Sequence, residues 1–213
     1  EAYHDYFLSI VREILDRYPV DGIHLDYARY GHMVYCFCPE HRAAAAARGI
    51  DVQHVRELIN QTYYTPADGK AYFNALAAGD PDVTGWVRMR TEEINGMVRK
   101  VRQVVDEYNA ARRPRHGRGH GGPAPLPRIA LSAALMPEGA LSTLATDQAT
   151  NAQFALCHYA QSYASLAPMM SFVAPMAYHT SYGKPASWVG DVVAGAVAKA
   201  GRTPVLAGMQ TDV

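Results

Sequence analysis

Apolar residues recur along this chain with two alternating periods, and the order of those periods predicts the fold. Residues 2–18 repeat at helical spacing, with Tyr3, Phe7, Ile10, Ile14, Leu15 and Tyr18 on one side, which predicts a packed amphipathic helix. The period then drops to two. In VDGIHLDYARY (20–30), Ile23 and Leu25 alternate with His24 and Asp26, the pattern of a strand over 20–28 with one polar face. Asp21-Gly22 is a turn signal that opens it. Residues 86–109 return to helical spacing through Val87, Ile94, Met97, Val98, Val101, Val104, Val105 and Tyr108, with Arg88, Arg90, Arg99, Lys100 and Arg102 mostly off that face. RIALSAALMPE (128–138) reads as the next strand, about 148–167 as helical, and SFVAPMAYHTSYG (171–183) as a strand with polar groups at its end. A helix from Pro185 to Gly201 and a short strand, TPVLAGMQ (203–210), follow.

Strands alternating with helices imply right-handed parallel βαβ units. Four strands, each followed by a polar cluster, favour a fold of the α/β (β/α)₈ TIM-barrel type, in part only, over a doubly wound sheet. No Gly-rich phosphate loop follows any strand, which weakens the nucleotide-binding version. Residues 29–85 form a long excursion after the first strand, rich in aromatic residues, Gly and Pro, with short helices expected at 41–48 and 52–62. Loops of that length in compact domains tend to be functional. Residues 112–128, RRPRHGRGHGGPAPLPR, carry five Arg and no acid. Without aromatic residues to stack on bases, that composition marks a solvated disordered insertion rather than a nucleic-acid patch.

Composition narrows the function classes. The 213 residues, 49% hydrophobic, suffice for one domain over 1–213 with a sizeable core. Formal net charge is zero, so nothing draws the chain as a whole to nucleic acid or anionic membranes. No apolar run approaches the roughly 18 residues of a membrane helix. No signal peptide is present, and the chain begins inside a helix, so it reads as a piece of something longer. Nothing in the sequence sets an oligomeric state.

In a parallel barrel the βα loops build the site at the C-terminal ends of the strands. Asp26 stands at such an end and is the first catalytic candidate, with Tyr27, Arg29 and Tyr30 beside it as candidate substrate contacts. The plainer alternative is that Asp26 caps the following turn or pairs with Arg29.

VDGIHLDYARY, the helix opening WVRMRTEEINGMVRKVR (86–102), and IALSAALMP, FVAPMAYH and VLAGMQ together resemble the glycosyl-hydrolase-like family 10 domain. The resemblance runs from about residue 10 to 210 and maps 20–28, 129–136, 171–178 and 204–209 onto about strands 4, 5, 6 and 7. It implies a (β/α)₈ barrel of mainly bacterial, typically exported, carbohydrate-active proteins, hence an extracytoplasmic location and a polysaccharide or oligosaccharide as partner. The first strand is also similar, more distantly, to the chitinase-type family 18 string DGxDxDxE. There His24 replaces one Asp, Asp26 keeps the other, and Ala28 stands where the acid belongs. Met176 and Tyr178 match that family's Met-x-Tyr.

Glycoside cleavage normally uses a proton donor and a second carboxylate. Asp26 supplies one. Glu138, just beyond Pro137, ranks first as the other, ahead of Asp212, with an exposed loop residue as the plain alternative for Glu138. A glycan-binding barrel that lacks the proton donor is the alternative function. Tyr27, Tyr30, Tyr178 and Tyr182 read as sugar platforms, Trp188 as core packing, and His24, His179 and Gln210 as groups that line the site or tune it. YCFCPEHR (35–42) sets Cys36, Cys38 and His41 together. They read either as ligands of a structural zinc, with His32 the nearest fourth ligand, or as reduced cysteines bracing the long loop. The expected chemistry requires no cofactor.

Overall fold

Four short strands, β1 (Gly22–Leu25), β2 (Ala130–Leu135), β3 (Phe172–Ala177) and β4 (Gly208–Met209), pair side by side in sequence order, all parallel. The computed structural model describes residues 2–64, 70–112, 127–141 and 151–210. A doubly wound sheet would reverse its strand order at a switch point. This sheet does not; it is an α/β half-barrel wall. His24 lies beside Ser132, and Ala134 beside Ala174, so even-numbered positions of the first three strands share one face. The odd-numbered positions Ile23, Leu25, Leu131, Ala133, Leu135, Val173 and Ala177 are buried against helices. The strands are shorter than the alternation predicted, because backbone pairing stops where the chain turns into the site loops.

Helix α1 (Ala2–Arg17) packs on α5 (Pro81–Ala111) through Leu8, Val11 and Leu15. Of the residues predicted for the packed side, Leu15 is buried and Phe7 and Ile14 pack against the core, whereas Tyr3, Ile10 and Tyr18 are 67%, 37% and 59% exposed. The apolar residues of α1 straddle two adjoining stripes, and the shape of α5 selects the one carrying Leu8.

Helix α5 begins at Pro81, five residues before its periodicity announces it. Asp80 caps it by accepting from the amides of Asp82 and Val83, both at 3.0 Å, and Pro81 takes the first helical position. At 31 residues, α5 spans two cores. Its first half carries Val83, Trp86, Val87 and Met89 into a cluster formed with α2 (Pro39–Ala46), α3 (Val52–Tyr64) and α4 (Ala71–Ala77). Its second half carries Ile94, Val98, Val101 and Val105 against the sheet.

The helical stretch expected at 148–167 is two helices, α6 (Asn151–Tyr159) and α7 (Tyr163–Leu166), within the described residues. Ala160, in the left-handed region at φ 52°, ends α6. Helix α8 (Trp188–Ala200) ends at Gly201, whose φ of 64° suits a residue without Cβ, and Trp188 is buried as expected. Nearly all of 112–128 lies outside the described residues, as does Asp212. Among the described residues no helix is long and apolar enough to cross a membrane.

Candidate active site

Beyond β1 the chain breaks direction sharply. Asp26 Oδ1 accepts from the Tyr27 amide at 2.8 Å, and Tyr27 sits at φ 56°, a conformation that costs a non-glycine residue on the order of 1 kcal/mol. The kink turns the Tyr27 ring outward, and the Arg29 guanidinium lies over it, 3.9 Å from the centroid. Arg29 therefore packs on tyrosine rings, including Tyr159 at 5.1 Å, rather than forming the ion pair with Asp26 that the sequence allowed. Gln161 fixes the backbone beneath: its Nε2 donates to the carbonyls of Ala28 (3.2 Å) and Ala134 (3.3 Å), and its Oε1 accepts from the Met136 amide (2.7 Å). One buried amide thus ties together the ends of β1 and β2.

The result is a pocket of ≈ 450 Å³ at the C-terminal ends of the strands. His24, Asp26, Tyr27, Arg29, Tyr178 and Tyr182 line it, with Ala134, Met136 and Met176 giving an apolar floor. His24 Nδ1 lies 2.8 Å from the Ser132 hydroxyl of the neighbouring strand, which fixes the ring plane. The volume and the mixture of few polar groups with aromatic walls suit a small-molecule or sugar site.

Glu138 lies behind this wall, in a 3₁₀ turn (Pro137–Gly139) after β2. It is only 6% exposed, so the reading of an exposed loop residue is overturned. Tyr182, which lines the pocket, donates its hydroxyl to Glu138 Oε1 at 3.1 Å, and Glu138 Oε2 is buried with no hydrogen-bond partner among the described residues. Burial pushes the Glu138 carboxyl above the usual range, against the opposing pull of its backbone hydrogen bond, the Tyr182 and Tyr159 hydroxyls and the Arg29 charge. The turn is held from α8 and α7: Lys199 Nζ of α8 donates to the carbonyls of Gly139 (2.7 Å) and Leu141 (3.2 Å), and Tyr163 Oη of α7 donates to the Met136 carbonyl (3.2 Å).

Three other predicted contacts lie outside this pocket. Tyr30 turns away: its amide donates to the Tyr159 carbonyl at 3.0 Å and its hydroxyl sits 2.6 Å from His41 Nε2. His179 has a buried Nδ1 with no hydrogen-bond partner among the described residues and does not line the pocket. Gln210 holds the loop after β3, accepting from the amide (3.1 Å) and hydroxyl (2.9 Å) of Ser181. Sequence reasoning missed Ser132, Tyr159 and Gln161. Ser132 was legible as the polar position in register with His24; nothing marks the other two.

The Cys36, Cys38 and His41 ligand atoms all lie within 4.8 Å of one another. His32 does not join them. Its Nδ1 accepts from the Val34 amide (3.3 Å) and its Nε2 lies 3.0 Å from that of His158. A second group, His54, Asp80 and Asp82, is also close, but its carboxylates are taken up: Asp80 caps α5 and meets His54 at 2.9 Å, and Asp82 accepts from the Asp51 amide at 2.8 Å.

No protein-family model matches the chain, and a search of curated proteins finds no relative. Among solved structures, the chain is similar to the glycoside hydrolase domain of PgaB (BpsB) from Bordetella bronchiseptica, with a TM-score of 0.58 and 18% sequence identity. The match covers 92% of this chain and 44% of that one. The chain thus spans less than half the length of its structural neighbour, and at this identity the likeness is one of fold.

Proposed function

We propose that this chain belongs to a carbohydrate-active barrel and takes part in hydrolysis of a glycosidic bond in the Asp26 pocket. The observation that carries the reading is the pairing of two carboxyl groups in opposite environments at one end of a parallel sheet: Asp26 exposed in the pocket, Glu138 buried one tyrosine away. Environments that separate two carboxyl groups in this way are how acid and base roles are divided at one pH. The likeness in fold to a glycoside hydrolase domain, and the resemblance of the motifs to glycosyl-hydrolase-like family 10, support the same reading. On that mapping β1 to β4 are strands 4 to 7 of eight, and the protein works outside the cytoplasm on a polysaccharide or oligosaccharide.

In the proposed chemistry Glu138, whose carboxyl burial shifts toward its protonated form, is the proton source. Tyr182, which lines the pocket, is its hydrogen-bonded link to the pocket wall. The Tyr182 hydroxyl, which donates to Glu138 Oε1 at rest, turns its proton to the leaving glycosidic oxygen as its own oxygen accepts the proton of Glu138. Asp26 faces the anomeric carbon, either as nucleophile or as base for water. Tyr27 and Tyr178 cover the apolar face of a sugar ring, and Arg29 and His24 hydrogen-bond its hydroxyls.

The burial of Glu138 behind Tyr182 favours a second reading, a barrel that binds glycans without cleaving them. Incubation with an array of bacterial and plant polysaccharides separates the two. Release of shorter sugars supports hydrolysis; retention of a glycan with no product over long incubation supports the binding barrel.

A further inference from the structure

Two thiols and an imidazole meet on the opposite side of Tyr30 from the Asp26 pocket. Cys38 Sγ lies 3.0 Å from His41 Nδ1, the Cys38 amide points at Cys36 Sγ at 3.3 Å, and all three ligand atoms fall within 4.8 Å of one another. Zinc bonds of about 2.3 Å to sulfur and about 2.0 Å to nitrogen place tetrahedral ligand atoms about 3.5–3.8 Å apart. The cluster therefore needs side-chain adjustments of an ångström or less to close on an ion.

The surroundings match what a metal requires beyond its ligands. Tyr30 Oη lies 2.6 Å from His41 Nε2; with a proton on Nε2 donated to Tyr30, Nδ1 is left free to face the thiols, the outer contact that ligating histidines use to fix their tautomer. Phe37, between the two cysteines, stacks on the buried Trp86 at 4.8 Å, so the loop is anchored before any ion arrives. Cys38 is the N-cap of α2, which sets its side chain one helical turn from His41. The open side meets a pocket of ≈ 290 Å³ lined by Glu40, His41, Glu92 and Glu93 against Arg48.

We propose that Cys36, Cys38 and His41 bind one zinc ion, with the fourth position turned toward Glu40. Two sulfurs and one imidazole are the donors of structural zinc centres. Binding releases the two thiol protons and locks the loop after β1 onto α2. Through His41 and Tyr30 the ion then also braces the segment that carries Asp26, which makes it structural rather than catalytic.

Elemental analysis of protein made without a metal-affinity tag tests this. About one zinc per chain is expected, falling to background in the Cys36→Ser/Cys38→Ser double variant. Because that variant may fail to fold, the wild type is also loaded with cobalt(II). A thiolate-to-cobalt absorption in the near ultraviolet, with the visible bands of a tetrahedral ion, is expected. Tyr30→Phe, which keeps all three ligands, should weaken zinc affinity roughly tenfold or more in chelator competition. Background zinc after reconstitution, a cobalt complex without the sulfur band, or a Cys36–Cys38 disulfide in the isolated protein would each overturn the site.

Discussion

The Tyr182 hydroxyl lies 3.1 Å from Glu138 Oε1, with the Tyr182 ring facing the Asp26 pocket and packing 5.0 Å from Trp188. A buried acid is thereby connected to the pocket by one hydroxyl. Tyr182→Phe keeps the ring against Trp188 and removes only that link. The variant should lose about 1–2 kcal/mol of stability by chemical denaturation, as a buried carboxyl loses its donor. Glycan retention should stay near wild type while product release falls at least tenfold.

Glu138 gives stability a pH dependence of defined sign. Its folded pKa is raised by burial, so its contribution is fully present below the unfolded value near 4.5 and is lost as pH rises through the folded value. Glu138→Gln removes that loss while keeping an oxygen for Tyr182. Thermal melts across pH should show the variant gaining on wild type from acid to neutral pH. Parallel curves would place Glu138 in water, contrary to the structure.

His158 acts in the opposite direction. It is 6% exposed, stacks 4.0 Å from Phe154, and is pushed down to about 3 by burial and by the neighbouring His32 and Arg90. A depressed folded value means stability that is present above the unfolded pKa near 6.5 and is lost as pH falls toward about 3. Linkage sets its ceiling on the order of 5 kcal/mol. His158→Phe preserves the aromatic stack and should flatten the acid limb of the stability curve measured by urea titration from pH 7 to 4.

Gly195 on α8 faces the backbone of the turn that carries Glu138. A Cβ there would run into the Ala140 carbonyl oxygen. Gly195→Ala must separate α8 from the turn, at an expected cost of about 1–3 kcal/mol in chemical denaturation. Product release should fall further than stability alone explains, because Glu138 moves with the turn.

The alternation of Ile23 and Leu25 with His24 and Asp26 made the β1 face and the working end of the sheet readable, since period two is a local property. The kink at Tyr27 was not readable. A left-handed tyrosine has no sequence signal, yet it sends Tyr27 into the pocket and Tyr30 toward His41. The burial of Glu138 was equally hidden, because Lys199 and Gly195 impose it from about sixty residues away. The face of α1 was legible in part, through Phe7, Ile14 and Leu15: two apolar stripes were available, and the partner helix chose the side carrying Leu8 and Val11 over Tyr3 and Ile10.

The central claim is that Asp26 does chemistry in the pocket rather than merely shaping its rim. The direct measurement is the rate at which Asp26→Asn releases product from whichever glycan the wild type cleaves, alongside its melting curve. Asparagine keeps an oxygen for the Tyr27 amide, so the fold should be unchanged. Turnover should fall on the order of 10²–10⁴-fold, the range for losing a positioned acid or base. A folded Asp26→Asn protein that releases product at the wild-type rate would contradict the account.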